Sequence, residues 1–182
     1  MQAPKRIVIT GASGVGKTSL ANVLAEKLGL PLIPEVARRL CHQMGYRNPT
    51  EIPDQQSFRQ AVLDEQIIEE RAQTEFVSDR CAIDCWVLWQ RWQICSAMTY
   101  DTEAYYNTCR DHARVYTHVI YVPPMFTPAE DEFRWTEPDY VKQIDRFVGL
   151  TLYDWSLLDR TFTIDCDGPH ARAAAVATWL RV

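Results

Sequence analysis

Eight residues, Gly11 to Thr18, constrain the fold of this chain more than any other stretch. They read GASGVGKT and match the pattern G-x-x-x-x-G-K-[ST] at every fixed position. The β-branched run Arg6 to Thr10 predicts a buried strand before them, and the apolar spacing over residues 17–28 predicts a helix after them. A glycine-rich loop between a strand and a helix turns its backbone N–H groups toward an anion, and the helix adds its positive end. The stretch therefore predicts a phosphate-binding loop (P-loop).

Two side chains of this loop have direct chemical roles. Lys17 reaches the β- and γ-phosphates of a nucleotide, and Thr18 offers a hydroxyl to Mg²⁺. The predicted cofactors are therefore ATP and Mg²⁺. The residues expected to bind the nucleotide are Gly11, Ser13, Gly14, Val15, Gly16, Lys17, Thr18 and Ser19. Kinases, GTPases and motor ATPases share such a loop, but the guanine-selecting pattern N-K-x-D is absent, which disfavours a GTPase.

The composition favours one soluble domain over residues 1–182. Of the residues, 47% are apolar and 24% are charged, as in ordinary globular proteins. The net charge of −5 argues against a protein whose main task is to bind duplex DNA. No apolar stretch approaches the ~20 residues of a membrane-spanning helix, and we expect no signal peptide before the first strand. We expect a cytoplasmic protein without a membrane partner, whose six cysteines are free thiols that mostly serve packing.

Strand-like and helical patterns alternate along the whole chain. Strands are predicted at 6–10, 30–34, 76–79, 118–122 and 161–165, and helices at 17–28, 35–44, 57–75, 82–97, 102–115, 140–158 and 169–180. This alternation predicts an α/β fold, the three-layer P-loop NTPase fold, with a five-stranded parallel sheet, helices on both faces and a lid segment. In such sheets ligands bind beyond the carboxyl ends of the strands. The residues that follow each strand are therefore candidates for the site.

The second strand leads into the sequence Glu35-Val-Ala-Arg38. A carboxylate in this place beside a P-loop accepts the proton of an attacking hydroxyl, which makes Glu35 a candidate catalytic base. Arg38 lies on roughly the same helical face and is a candidate ligand for an anionic or polar acceptor. The alternative is an ordinary Glu–Arg pair on the surface of a solvated helix.

The third strand ends in Phe-Val-Ser-Asp79-Arg80. An apolar run that ends in Asp is typical of the residue that holds Mg²⁺ in P-loop proteins, so Asp79 is a candidate metal ligand together with Thr18. Arg80 then points near the same site and is a candidate contact to the acceptor or to phosphate. Asp84 has two interpretations: it binds an acceptor hydroxyl, or it is a carboxylate that stabilises a helix N-terminus.

Tryptophans recur every three residues directly after this acidic–Arg pair, in the sequence WVLWQRW. Helical spacing of this kind is typical of core packing, but indoles also stack on flat bases. Trp86 and Trp89 are therefore candidates for one wall of a site for a base-bearing acceptor, with core packing as the alternative.

A charged stretch after the fourth strand is a candidate lid, at about residues 125–146. It contains Asp131-Glu-Phe-Arg134, and the arginine of such a lid can swing over the triphosphate and stabilise charge on the transferring group. Arg134 is the first candidate for that catalytic role. A solvent-exposed loop with paired charges is the alternative.

The P-loop, E-x-x-R after the second strand and D-R-x-x-x-D after the third together resemble the nucleoside-kinase-like P-loop proteins. The most similar groups are the small AAA-type ATPase/kinase family that includes the ribosylnicotinamide kinase domain and, more distantly, the deoxyribonucleoside kinases. The resemblance covers nearly the whole chain. In deoxyribonucleoside kinases a Glu after the second strand is the general base and an acidic–Arg pair follows the third, which implies these roles for Glu35 and for Asp79 with Arg80.

The resemblance implies an ATP-dependent kinase that transfers the γ-phosphate to a hydroxyl of a nucleoside- or nucleotide-like small molecule. Two alternatives stay open. One is a kinase that acts on a hydroxymethylated base in DNA, as phage hydroxymethyluracil-DNA kinases do, although the charge of −5 weighs against a polymer substrate. The other is a non-kinase NTPase or nucleotide-dependent binding switch, which would use the tryptophan-rich face for a protein or lipid partner.

Overall fold

The computed structural model describes residues 4–95, 102–125 and 137–181, and its five strands form one parallel sheet. The strands are β1 (Arg6–Thr10), β2 (Leu32–Ile33), β3 (Phe76–Asp79), β4 (His118–Tyr121) and β5 (Thr161–Thr163). The helices are α1 (Lys17–Leu28), α2 (Val36–Gln43), α3 (Gln55–Arg71), α4 (Ala82–Cys95), α5 (Thr102–Ala113), α6 (Pro138–Asp154) and α7 (Pro169–Trp179). The α/β fold with a five-stranded parallel sheet is thereby confirmed.

The strand order is β2-β3-β1-β4-β5, so β1 lies in the middle of the sheet. Ile9 of β1 pairs with Asp79 of β3 on one side and with Ile120 of β4 on the other. Because the first and third strands are neighbours, the P-loop that leaves β1 and the acidic–Arg pair that leaves β3 emerge side by side. β2 lies next to β3 and delivers Glu35 to the same edge.

Local sequence explains most helix boundaries. α1 ends at Gly29, which adopts a left-handed conformation (φ 64°) and returns its N–H to the carbonyls of the last turn. α3 begins at Gln55, two residues earlier than predicted, because Asp54 is the N-cap: its carboxylate accepts the backbone N–H of Ser57 at 3.0 Å. The second strand is shorter than predicted and keeps only two residues.

The described part of the chain bears on two further expectations. None of its helices combines the length and apolarity that a bilayer crossing requires. The five cysteines whose side chains are described are free thiols, and four of them are buried. Burial raises the pKa of the Cys85 thiol and of the Cys109 thiol, which keeps both protonated and suits a packing role.

Candidate active site

The P-loop has the backbone that its glycines predict. Gly11, Gly14 and Gly16 have positive φ angles of 145°, 79° and 90°, which residues other than glycine rarely adopt. Space is also limiting at Gly11, where a Cβ atom would lie 2.3 Å from the backbone oxygen of Val122. Val15 is buried, whereas Thr18 and Ser19 are exposed at the start of α1.

Lys17 lies inside this loop. Its ammonium donates to the carbonyls of Gly11 at 2.8 Å and Ala12 at 2.5 Å, and the side chain is almost fully buried. Burial lowers the pKa of Lys17 to about 7, and the neighbouring charge of Arg80 acts in the same direction. A phosphate group would restore the charged form, so the lysine suits an anionic ligand.

Asp79 is a buried carboxylate at the end of β3, 2% exposed. Neither of its oxygens meets the geometry of a hydrogen bond to a described residue. Burial raises the pKa of this carboxyl, and the neighbouring hydroxyl of Thr18 offsets part of the rise. Unpartnered carboxylate oxygens beside an exposed hydroxyl fit Mg²⁺, which takes one or two protein oxygens and completes its shell with water and phosphate.

Glu35, Arg80 and Asp84 form a charged cluster next to the loop. Arg80 donates through Nε to Glu35 at 2.6 Å and through Nη1 to Asp84 at 3.1 Å, and Nη2 lies 3.4 Å from the Ser13 hydroxyl. Burial alone would raise the pKa of Glu35, but the charges of Arg80 and Lys17 outweigh it and bring the pKa to about 2. Glu35 is therefore ionised at neutral pH and able to accept a hydrogen bond from a hydroxyl.

Two details refine the sequence-based interpretations of this cluster. Asp84 accepts the backbone N–H of Cys81 at 3.2 Å, so it stabilises the start of α4 and pairs with Arg80 at the same time. Arg38 donates to the second oxygen of Glu35 at 3.4 Å and is the outer member of the cluster. The helix N-terminus interpretation of Asp84 thus has a contact behind it, and binding of an acceptor hydroxyl stays a prediction.

Arg80 has a left-handed backbone conformation (φ 79°), which is uncommon outside glycine and costs on the order of 1–3 kcal/mol. Its N–H donates to the carbonyl of Ile9 at 3.1 Å, and its carbonyl accepts the Ser78 hydroxyl at 2.7 Å. Gln66 of α3 donates in turn to Ser78 at 2.9 Å. A chain of buried hydrogen bonds thus holds the turn that aims the Arg80 side chain at Glu35.

A cavity of about 370 Å³ opens beside this cluster, between α3 and α4. Ser13, Glu35, Arg80 and Asp84 line one end of it. The remaining wall is largely aromatic and aliphatic, with two further arginines; it includes Phe58, Arg59, Val62, Leu88, Arg91, Trp92, Tyr105 and Tyr140. Such a chamber, apolar with a few charged groups at its ends, is typical of sites for small molecules.

The tryptophan interpretation needs a correction. Trp86 and Trp89 are 9% and 1% exposed and do not line the cavity. Trp89 is covered by Tyr105, whose ring stacks on it with centroids 3.9 Å apart, and Trp86 packs edge-on against Tyr106. Both belong to the core. Among the tryptophans that the structure describes, the one that lines the cavity is Trp92, which lies further along α4.

Sequence reasoning missed several other residues. Arg59 and Arg91 line the cavity, but a single arginine on a helical pattern gives no signal of its own. Arg172 of α7 is 3% exposed and donates to the carbonyl of Val15 in the P-loop at 2.7 Å, across 157 residues of sequence. Arg134, the candidate lid arginine, lies outside the described residues, as does the part of the predicted lid at 126–136.

The fold is similar to that of several kinases of known structure. The NadR protein in complex with NR matches with a TM-score of 0.76 and 18% identity, over 99% of this chain and 52% of that one. Deoxyadenosine kinase from M. mycoides with bound dATP matches with a TM-score of 0.66 and 15% identity, over 97% and 100%. Shikimate kinase from Acinetobacter baumannii in complex with shikimate matches with a TM-score of 0.59 and 15% identity, over 98% and 93%.

The chain spans about half the length of the NadR structures that it matches, 52% and 50%. No curated protein sequence matches it significantly. At 13–20% identity these structures establish the fold, which is that of P-loop kinases. A family model described as "AAA domain" (AAA_28) matches residues 6–161, which include β1 with its P-loop, β3 with Asp79 and the whole lining of the cavity. The chain therefore belongs to this AAA-domain family.

Proposed function

We propose that this protein is an ATP-dependent kinase that transfers the γ-phosphate to a hydroxyl of a nucleoside- or nucleotide-like small molecule in the cytoplasm. One observation carries the proposal: the cavity between α3 and α4 meets the P-loop at Ser13, at the same end as Glu35 and Arg80. A phosphate donor in the loop and an acceptor in the cavity would therefore meet beside a buried carboxylate. A protein that only hydrolyses a nucleotide has no use for a second chamber of this size.

In this proposal each residue of the cluster has a distinct task. The P-loop N–H groups and Lys17 bind the β- and γ-phosphates, and Arg80 offers a fixed positive charge on the acceptor side. Thr18 and Asp79 would hold Mg²⁺, which supplies charge neutralisation to the phosphates when it is bound. Arg134 remains the proposed lid arginine, and Arg38 the outer contact to Glu35.

Glu35 would orient the acceptor hydroxyl and take its proton. A carboxylate with a pKa of about 2 is a weak base, so it does not strip the proton from a free alcohol. In phosphoryl transfer the transition state is loose, so little bond to the attacking oxygen has formed and positioning of that oxygen matters more than a strong base. Glu35, which is ionised and held in place by Arg80 and Arg38, suits such a transition state.

The two other candidate functions make different demands on the cavity. A base flipped out of DNA would need an opening that also accepts the flanking strand. A nucleotide switch would need no acceptor chamber at all. A volume of about 370 Å³ suits a free small molecule, at the lower end of the ~300–1,000 Å³ that such sites occupy.

The test is to follow label from γ-labelled ATP with Mg²⁺ in the presence of nucleosides, nucleotides, ribosylnicotinamide and DNA that contains hydroxymethylated bases. Label in a small-molecule phosphate ester supports the proposal. Label in DNA selects the DNA alternative, and label released only as inorganic phosphate, at a rate that no acceptor changes, selects the switch.

A further inference from the structure

The cavity has two ends of different charge, set by the helices on either side. On α4 the lining residues Asp84, Leu88 and Arg91 follow one another at helical spacing, so they form a single stripe along the cavity. On α3 Gln66, Val62 and Arg59 form the facing stripe. Seven residues of helix span about 10 Å at 1.5 Å per residue. Arg59 and Arg91 therefore lie about 10 Å from the end that contains Asp84 and Gln66.

Among the described residues that line the reacting end, two carboxylates face one arginine. Arg80 is the one arginine there among the described lining residues, and it is shared between Glu35 at 2.6 Å and Asp84 at 3.1 Å. Its charge is therefore committed to two carboxylates. We call the opposite end, defined by Arg59, Arg91 and Trp92, the distal end.

The described charged residues that line the distal end are two arginines, Arg59 and Arg91. Within the described chain, Arg59 forms no ion pair with a carboxylate, and its Nε is buried without a hydrogen-bond acceptor. Its guanidinium lies over the ring of Trp92 at 5.4 Å and donates through Nη2 to the neutral Gln55 at 3.2 Å. Arg91 lies over the ring of Tyr140 at 5.6 Å and lines the same end.

A buried guanidinium with an unsatisfied donor is costly unless a ligand supplies the acceptor. Arg59 has such a donor in its Nε, and Arg91 lines the same end of the cavity. Guanidinium donors match the planar oxygens of a carboxylate or a phosphate, so this end is suited to an anion. Leu88, Val62 and Phe58 line the space between the two ends, which suits an apolar or flat middle.

We propose that the acceptor of this kinase carries an anionic group, a carboxylate or a phosphate, at the end remote from the hydroxyl that is phosphorylated, and that Arg59 with Arg91 binds it. This inference rests on the proposed function and narrows its substrate class. It disfavours an acceptor with a cationic or neutral distal end, such as ribosylnicotinamide or an ordinary nucleoside. The hydroxyl meets Glu35, and the anion lies on the order of 10 Å away along the cavity.

Matched pairs of acceptors test the proposal, because the members of each pair differ only in the anion. Ribosylnicotinate against ribosylnicotinamide, and shikimate against its methyl ester, test a carboxylate. Thymidine 3′-monophosphate, with its free 5′-hydroxyl, against thymidine tests a phosphate. We expect the anionic member of at least one pair to bind about 10- to 100-fold more tightly by calorimetry, as hydrogen bonds to charged groups imply.

Variants assign the preference to the distal end. Arg59→Gln should remove most of the preference while binding of the neutral member changes little, and Arg59→Lys should retain part of it. Arg110→Gln is the matched control, since Arg110 also lies over a tyrosine ring, at 5.3 Å from Tyr106, but does not line the cavity. That control should leave the preference unchanged.

The outcomes separate this inference from the proposed function. Label transfer to an acceptor, with equal affinity for the members of every pair, overturns the anion site and leaves the kinase intact. A preference that survives in Arg59→Gln, folded as judged by its melting curve, also overturns it. Tight binding of an anionic member that Arg59→Gln abolishes, without label transfer to any acceptor, retains the site and refutes the kinase.

Discussion

Lys17 is a residue whose protonation depends on its ligand. Without phosphate, its ammonium is held by two loop carbonyls, and burial lowers its pKa to about 7. The negative charge of a bound triphosphate would raise the pKa again. The free protein at pH 8 then contains mostly neutral Lys17, and the complex contains the charged form.

We expect ATP binding at pH 8 to take up close to one proton through Lys17, and the uptake to fall toward zero at pH 6, where the lysine is already charged. Calorimetry in two buffers of different ionisation enthalpy measures this number. The same titration of Lys17→Met, subtracted from wild type, cancels the protonation of the nucleotide itself. Equal proton uptake in the two proteins at pH 8 would contradict the assignment. Lys17→Met should also reduce phosphoryl transfer by several hundredfold or more, a loss of ~3–4 kcal/mol.

Glu35→Gln should lower kcat by about 10²–10⁴-fold and leave ATP affinity nearly unchanged, because the amide keeps the shape but takes no proton. Since the pKa of Glu35 in the free protein is about 2, wild-type kcat/KM should show no acid limb from this group above about pH 4. Glu65→Gln is the control: Glu65 also pairs with an arginine, Arg39, at 3.2 Å, but outside the cavity. A kcat for Glu35→Gln within a few-fold of wild type would assign the base to another residue.

At the scale of elements, α7 supports the P-loop from behind. Arg172 donates to the Val15 carbonyl at 2.7 Å and to the Cys166 carbonyl at 2.9 Å, and it fits closely against Gly16, where an added Cβ would lie 3.0 Å from Nη1. Its contact is to the backbone of the loop, so we expect it to act as a positioning residue. Arg172 thereby joins α7 to the P-loop by a hydrogen bond.

Arg172→Ala should raise the KM for ATP about 10-fold and change kcat less, because the loop loses a charged hydrogen bond worth ~1.5–3 kcal/mol. Arg172→Lys should restore part of the affinity. Arg114→Ala removes an exposed arginine of the same charge and serves as the control. If Arg172→Ala only lowers the melting temperature and keeps the KM for ATP, the residue stabilises α7 and does not position the loop.

One face of α4 is expected to contribute to acceptor binding and the other to the stability of the fold. Trp92→Ala should raise the acceptor KM roughly 5- to 100-fold, since stacking on an aromatic ring is worth ~1–3 kcal/mol, and should lower the melting temperature less than Trp89→Ala does. Trp89→Ala should instead destabilise the protein by ~3–5 kcal/mol, because it leaves a large hole in the core beneath Tyr105. Steady-state kinetics and thermal melts of both variants distinguish the faces, and a reversed pattern would refute the assignment of Trp92.

For the whole molecule, a buried polar network connects α3, α5 and the start of α4. Glu70 accepts from Gln66 at 2.7 Å and lies 2.7 Å from Nε2 of His112, and Tyr116 donates to it at 3.4 Å. The Tyr116 hydroxyl also accepts the N–H of Ala82, the first residue of α4, at 2.9 Å. Gln66 also donates to the Ser78 hydroxyl, which donates to the carbonyl of Arg80 and so connects the network to that turn. This network stands behind the reacting end of the cavity.

Glu70→Ala should lower the free energy of unfolding by ~3–5 kcal/mol, since it leaves buried partners without an acceptor. Glu69→Ala is the matched control next to it in sequence: Glu69 pairs with Arg39 while partly exposed, and its loss should cost at most ~1 kcal/mol. Urea denaturation measures both. Equal stabilities would show that the network adds nothing net.

Much of the fold could be predicted because its signals are local. The bounds of β1, α1 and β3 agree with the sequence patterns, since period-2 and period-3.6 apolar spacing and the glycines after β1 act within a few residues. The grouping of Lys17, Glu35 and Asp79 was also predictable, because carboxyl ends of adjacent parallel strands share one edge. Their chemical roles, the single domain and the lid arginine stay predictions.

The sequence by itself determined the phosphate-binding loop, the parallel sheet and the residues delivered to its edge, because each depends on backbone conformation and on spacing along one segment. Only the tertiary structure decided which face of α4 meets α3, and so why Trp92 rather than Trp86 or Trp89 lines the cavity. It also brought Arg59 opposite Arg91, and Arg172 onto Val15. Such contacts join segments far apart in sequence, and they follow from how the helices pack together, which periodicity within one helix does not encode.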